Sequence, residues 1–144
     1  MNEEKIHFFT EGISYQIRRK NAIRDGIKRL IREKKRKPSF INIISCSDNV
    51  LRRYNKKYLR RSYYTDILAF DFSDDEGIIA GDIYISIDRV RENAKKYSIP
   101  IQMELARVII HGILHLTGMK DATEEEKREM RREEDFYIST FVKY

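Results

Sequence analysis

The chain has no tryptophan, one cysteine, two prolines and three histidines in 144 residues. Each shortage excludes something. A single thiol, Cys46, cannot close an internal disulfide, which excludes a secreted scaffold held by cystines and makes a reducing cytoplasm the expected setting. Placed in a β-branched apolar segment, Cys46 reads as a small packing residue rather than a nucleophile. With so little proline and only six glycines there is no low-complexity linker and no collagen-like repeat. Long apolar runs are missing too. Charges or histidines interrupt each one before it nears the roughly 20 residues of a membrane span. The first residues, MNEEKIHFF, are acidic where a secretory leader is basic, and no apolar stretch follows them.

What the chain has in quantity is charge. Charged residues make up 36% and apolar residues 41%, the balance of a compact folded protein, and the net charge is +6. That charge is unevenly spread. Residues 1–65 carry 18 Lys+Arg against 6 Asp+Glu, whereas residues 66–144 carry 11 against 17. Such polarity fits a side that holds a polyanion, nucleic acid first, or else a plain solvated surface rich in lysine.

Hydrophobic spacing gives the order βαβαββααα. KIHFFTEG reads as a first strand ended by Gly12, and Ile17, Ile23, Ile27, Leu30 and Ile31 recur at helical spacing from about Tyr15 to Lys35. Pro38 stops that helix, SFINIISC is a second strand, and Ser47 caps a helix through DNVLRRYNKKYL. TDILAFDF and IIAGDIYISI alternate as strands and form a hairpin across SDDEG. Polar residues 88–97 make a helix before Pro100, and a long helix runs from about Ile101 to Thr117, closed by Gly118. Thr123 and Glu126 then form a capping box for the last helix. The expected architecture is α+β, one domain over residues 1–144. A small mixed four-stranded sheet packs with helices, and the functional site lies on a central buried helix and the turn after it.

That helix carries HGILHLTGMKD. Between Leu105 and Leu116 nearly every side chain except Arg107, His111 and His115 is apolar, so the helix belongs in the interior. His111 and His115 share a face, with Cβ atoms about 5–6 Å apart, close enough for both imidazoles to reach one ion at about 2.0–2.1 Å. Gly118 permits a reversal that brings Asp121 toward the same point. Two nitrogens and one oxygen leave a coordination position open, as in catalytic metal sites. The same spacing also suits histidines bonded to nearby backbone, with Asp121 as a loop residue ahead of the cap. Gly112 stands where a zinc peptidase helix has its glutamate, so peptidase chemistry is not expected.

HGILHLTGMKD resembles the signature of the YbeY family of bacterial metal-dependent rRNA-maturation endoribonucleases, H-G-x-L-H-L-x-G-x-D-H. Two further segments, YNKKYLRRSYYTDILAFDF and GDIYIS, resemble family segments in the same order. The resemblance implies an α+β domain with one divalent ion, zinc first, on His111, His115 and Asp121. It implies a metal-activated water that hydrolyses single-stranded RNA in rRNA maturation and ribosome quality control. The implied partners are precursor rRNA and the small ribosomal subunit, with no membrane and no DNA specificity. Three departures stand out. Asp121 replaces the family's third histidine, and this harder oxygen donor tilts the site toward manganese- or magnesium-like ions. Lys120 takes the motif's own aspartate, and Leu59 takes the family's arginine. Arg60 and Arg61 are then the expected phosphate contacts, or else ordinary loop charges. Asp66 either orients a ligand histidine or a metal-held water, or caps the local turn.

Glu104 lies two turns before His111, too far for ligation, and His7 has no assigned role. Two other activities fit the residues less fully. One is an RNA- or ribosome-associated factor with a structural metal; the other is a metallohydrolase of peptides or small molecules.

Overall fold

The computed structural model describes residues 4–60 and 65–141. In order, the elements are β1 (Ile6–Glu11), α1 (Lys20–Glu33), β2 (Lys37–Cys46), α2 (Asp48–Leu59), β3 (Ile67–Asp71), β4 (Ile78–Ser86), α3 (Ile87–Tyr97), α4 (Ile101–Leu116) and α5 (Glu124–Phe141). The sheet runs β1-β2-β4-β3. β1 and β4 are parallel to β2, while β3 is antiparallel to β4, which makes the sheet mixed and the fold α+β.

Alternation in the strands sorts the two faces. Ile41 and Ile43 of β2, Ile83 and Ile85 of β4 and Ile6 of β1 are buried in the main core with α1, α4 and α5. Residues one step out of phase face the other way. There Cys46 and Leu68 pack under Val50 and Leu51 of α2, with Tyr54, Phe70 and Tyr84 around them. Asp82 lies in this phase, and its carboxylate accepts a bond from the Asn42 side chain at 3.0 Å, so the charge is kept away from α4. Cys46 is fully buried against the Ile85 carbonyl, and burial, with nearby Glu11, Asp48 and Asp88, pushes its thiol up to about 12. It packs and does not react.

Local rules explain most boundaries. Ser47 caps α2 by accepting from the Val50 N–H at 3.2 Å, and Thr123 with Glu126 forms the reciprocal box that opens α5. α1 begins at Lys20 rather than near Tyr15, because Arg19 takes a left-handed conformation (φ 57°). Ile17 still reaches the core from the lead-in. Pro38 does not end α1; it sits inside β2, next to a register shift between Pro38 and Phe40, where a missing N–H is tolerated.

Two glycines set how closely α4 lies on the sheet. A Cβ on Gly112 would come within 2.8 Å of Ile67 and 2.9 Å of Ile83, and one on Gly81 would come within 2.4 Å of the Phe70 carbonyl oxygen. The glycine between the two histidines is therefore a contact point between helix and sheet. With that side seated on β3 and β4, α4 turns His111 and His115 toward α5 and the turn that precedes it.

Candidate metal centre

His111 and His115 lie one turn apart on α4, ring centroids 4.5 Å from each other. The helix closes with Gly118 at φ 99°, its N–H donating to the His115 carbonyl at 2.9 Å and the Met119 N–H to the Leu114 carbonyl at 3.1 Å. This reversal carries Asp121 back over the helix end. Its Oδ2 lies 3.2 Å from His111 Nε2 and 3.4 Å from His115 Nε2, and the two Nε2 atoms are 2.9 Å apart.

Those lengths match a cation site. Ligands at about 2.0–2.1 Å from a tetrahedral ion are separated from one another by about 3.3 Å. The two His–Asp edges straddle that value, and the His–His edge has only a few tenths of an ångström to open. Proton accounting points the same way. His111 Nδ1 faces a Glu134 carboxylate oxygen at 2.7 Å, and His115 Nδ1 faces the Met119 carbonyl at 3.0 Å. Both partners accept, so both Nδ1 atoms carry hydrogen and, in the neutral rings, both Nε2 atoms present lone pairs. Two lone pairs and a carboxylate oxygen then converge with no donor among them. Only a proton or a metal ion satisfies such a set. Among the described residues His111, His115 and Asp121 are the one such group that could hold a metal.

Glu134 was not singled out in the sequence, where it stands in the charged run EEEKREMRREED. One signal was available. The buried residues of α5 are Met130, Glu134, Tyr137, Thr140 and Phe141, and Glu134 holds the helical register of the apolar ones. Its second oxygen accepts from Arg107 Nη1 at 3.0 Å, and Arg107 Nη2 reaches Asp135 at 2.8 Å. Burial disfavours a charge on His111, yet the Glu134 carboxylate, assisted by Asp121 and Asp66, leaves the ring more basic than free histidine.

Beside the side chains of His111, His115 and Asp121 opens a cleft of about 610 Å3. His111, Asp121 and Asp66 border it, Glu104 and Arg107 line it from α4, and Lys127 and Arg131 from α5. Glu104 is nearly buried, and desolvation together with the nearby Asp66 raises its carboxyl above the ordinary value, against Arg107 and Asn93. Asp66 thus borders the cleft, while its backbone carbonyl accepts from the Ser86 N–H at 2.9 Å and joins β3 to β4. Arg60 ends α2 in a left-handed conformation (φ 55°) and, among the described residues, is not part of the cleft wall. Arg61 lies outside the described residues. His7 bonds to the nearby Glu4 backbone, at 3.0 Å.

The model of the family described as Endoribonuclease YbeY matches residues 6–142. The chain belongs to the YbeY family. Proteins named Endoribonuclease YbeY are similar to it along almost their whole length. That of Cytophaga hutchinsonii is 45% identical over 139 residues, covering 96% of this chain and 97% of its own. That of Amoebophilus asiaticus is 40% identical over 138 residues, covering 96% and 94%. A solution structure of a Thermotoga maritima protein superposes with a TM-score of 0.65 at 22% identity, covering 94% of this chain and 88% of that one, and shares the fold. Within this YbeY chain the His-His-Asp group lies inside the residues that the family model matches.

Proposed function

We propose that residues 1–144 form a single metal-dependent endoribonuclease domain that hydrolyses single-stranded RNA in rRNA maturation and ribosome quality control. The convergence of His111 Nε2, His115 Nε2 and Asp121 Oδ2 without a donor carries this reading, and the names of the relatives support it. Two imidazoles and a carboxylate suit zinc, and the oxygen of Asp121 also admits manganese- or magnesium-like ions. When bound, a divalent ion supplies a Lewis acid for the phosphoryl group and its attacking water.

The remaining work falls to the chain's own groups. Lys127 and Arg131, on the cleft wall, give a phosphodiester two cations beside His111 and Asp121. Arg60, at the end of α2, and Arg61 are proposed as further phosphate contacts. Asp66 and the nearly buried Glu104 add negative charge to the same cleft, which favours a strand whose phosphates lie nearest Lys127 and Arg131 of α5. Precursor rRNA is the proposed substrate, the small ribosomal subunit the proposed partner and the cytoplasm the proposed setting. No helix among the described residues is long and apolar enough to cross a membrane.

The deciding experiment pairs metal analysis with cleavage of a model RNA. His115→Ala is expected to lose both; normal cleavage by that variant would end the proposal. A second reading follows from Leu59, which is half-exposed at the end of α2 where an arginine stands in the family signature. In it the protein binds RNA with a structural metal and little hydrolysis. Salt-sensitive RNA binding that survives chelation, with no cleavage under any divalent ion, would favour that reading.

A further inference from the structure

The two histidines are held from behind by different chemistry. His115 Nδ1 donates to a neutral carbonyl, that of Met119, four residues along its own chain. His111 Nδ1 donates to a carboxylate on another helix, Glu134 of α5. The carboxylate is the unusual part. The Glu134 side chain is 8% exposed, and a buried charge is costly unless every lone pair has a partner. Both oxygens are used: one by His111 at 2.7 Å, the other by Arg107 at 3.0 Å. Arg107 is anchored in turn by Asp135 at 2.8 Å.

Holding α4 to α5 does not require this arrangement. Met130, Tyr137 and Phe141 already bury α5 in the core, and Arg107 already reaches α5 through Asp135. What Glu134 alone does is fix the hydrogen of His111 on Nδ1, set the ring plane, and place negative charge behind the ring whose other nitrogen faces the site. A carboxylate behind a ligand imidazole strengthens its donor nitrogen more than a carbonyl does.

We propose that Glu134 is the positioning residue of the metal centre, with Arg107 as its anchor, and that it makes His111 the stronger of the two histidine ligands. This rests on the reading that His111, His115 and Asp121 hold a divalent ion. The chain Asp135–Arg107–Glu134–His111 crosses from α5 to α4 twice, so the donor strength of one ligand depends on how α5 is docked.

The test titrates Zn2+ alone into the full chain against a competing chelator, for wild type, Glu134→Gln, Glu134→Ala, Arg107→Gln and His115→Ala. Glu134→Gln keeps the size and one accepting oxygen, so it is expected to fold; its zinc affinity is expected to fall about 10- to 100-fold. Arg107→Gln is expected to lose affinity in the same direction and by less. Nitrogen-15 imidazole spectra supply the readout that a purely structural role would not move. In Glu134→Ala the His111 ring is expected to lose its single Nδ1–H form while His115 keeps its own. Zinc affinity unchanged in a folded Glu134→Gln, or a His111 spectrum unchanged in Glu134→Ala, overturns the proposal. Zinc binding absent in wild type, or equal in wild type and His115→Ala, overturns instead the metal reading beneath it.

Discussion

α4 presents two sides that could hardly differ more. Toward the sheet it offers Gly112, which meets Ile67 and Ile83, and Leu116, which lies against Gly81. Toward α5 it offers Arg107 and His111, each bonded to Glu134, with Asp121 closing the end. The first side is fixed by shape and leaves little room for an added atom. The second is fixed by charge and direction, and it leaves three acceptors short of a cation. One helix therefore serves as a packed wall and as the frame of a site. Seating the first side on β3 and β4 is what turns the second toward α5.

Substitutions on the two sides should separate these contributions. The largest stability effect is expected at Gly81, where a Cβ meets backbone at 2.4 Å that cannot move without parting β3 from β4. Gly81→Ala should cost at least about 3 kcal/mol in denaturant unfolding. Gly112→Ala meets methyl groups of Ile67 and Ile83 rather than backbone, and alanine is the better helix former. Its cost should be about 1–2 kcal/mol, overpacking partly offset by helix propensity. A cost at Gly112 as large as that at Gly81 would show that Ile67 and Ile83 cannot yield and that α4 is seated more firmly than side-chain contacts imply.

On the charged side, Lys127→Gln with Arg131→Gln should leave folding unchanged and flatten the salt dependence of RNA binding. Losing two phosphate contacts means that the advantage of wild type shrinks about sevenfold between 50 and 200 mM salt. An unchanged slope would place the RNA elsewhere. The smallest effect is expected at Glu104, whose folded value lies above its ordinary 4.5 through desolvation and Asp66. A carboxyl raised in the folded state favours folding below its unfolded value, and that contribution is lost as pH rises through the folded one. Glu104→Gln should therefore unfold like wild type below about pH 4 and be slightly the more stable at neutral pH. A variant less stable at pH 7 would mean that Asn93 and Arg107 more than compensate the buried charge.

Much of this molecule was legible in its sequence, and particular residues show why. The element order, the Ser47 and Thr123 caps and the Gly118 reversal are local events, set within a few residues by hydrogen bonding and backbone sterics. The i, i+4 histidines and the returning aspartate belong to the same class, since helix pitch and one left-handed glycine place them together. Other positions depend on distant partners. Pro38 looked like a helix stop because its missing N–H is costly inside a ladder, yet the irregularity in β2 accommodates it. Asp82 takes its partner from β2, which brings Asn42 beside it from 40 residues away in the chain.

The sequence by itself determined that His111, His115 and Asp121 would stand near one another at the end of an apolar helix, because spacing along a helix and its closing turn is a property of neighbours. Only the tertiary structure decided which acid in the EEEKREMRREED run stands behind His111 and that a cleft walled by Lys127 and Arg131 opens beside the triad. The choice of Glu134 over its neighbours follows from how α5 docks on α4. Docking is settled by long-range packing, and the local pattern specifies that only in part.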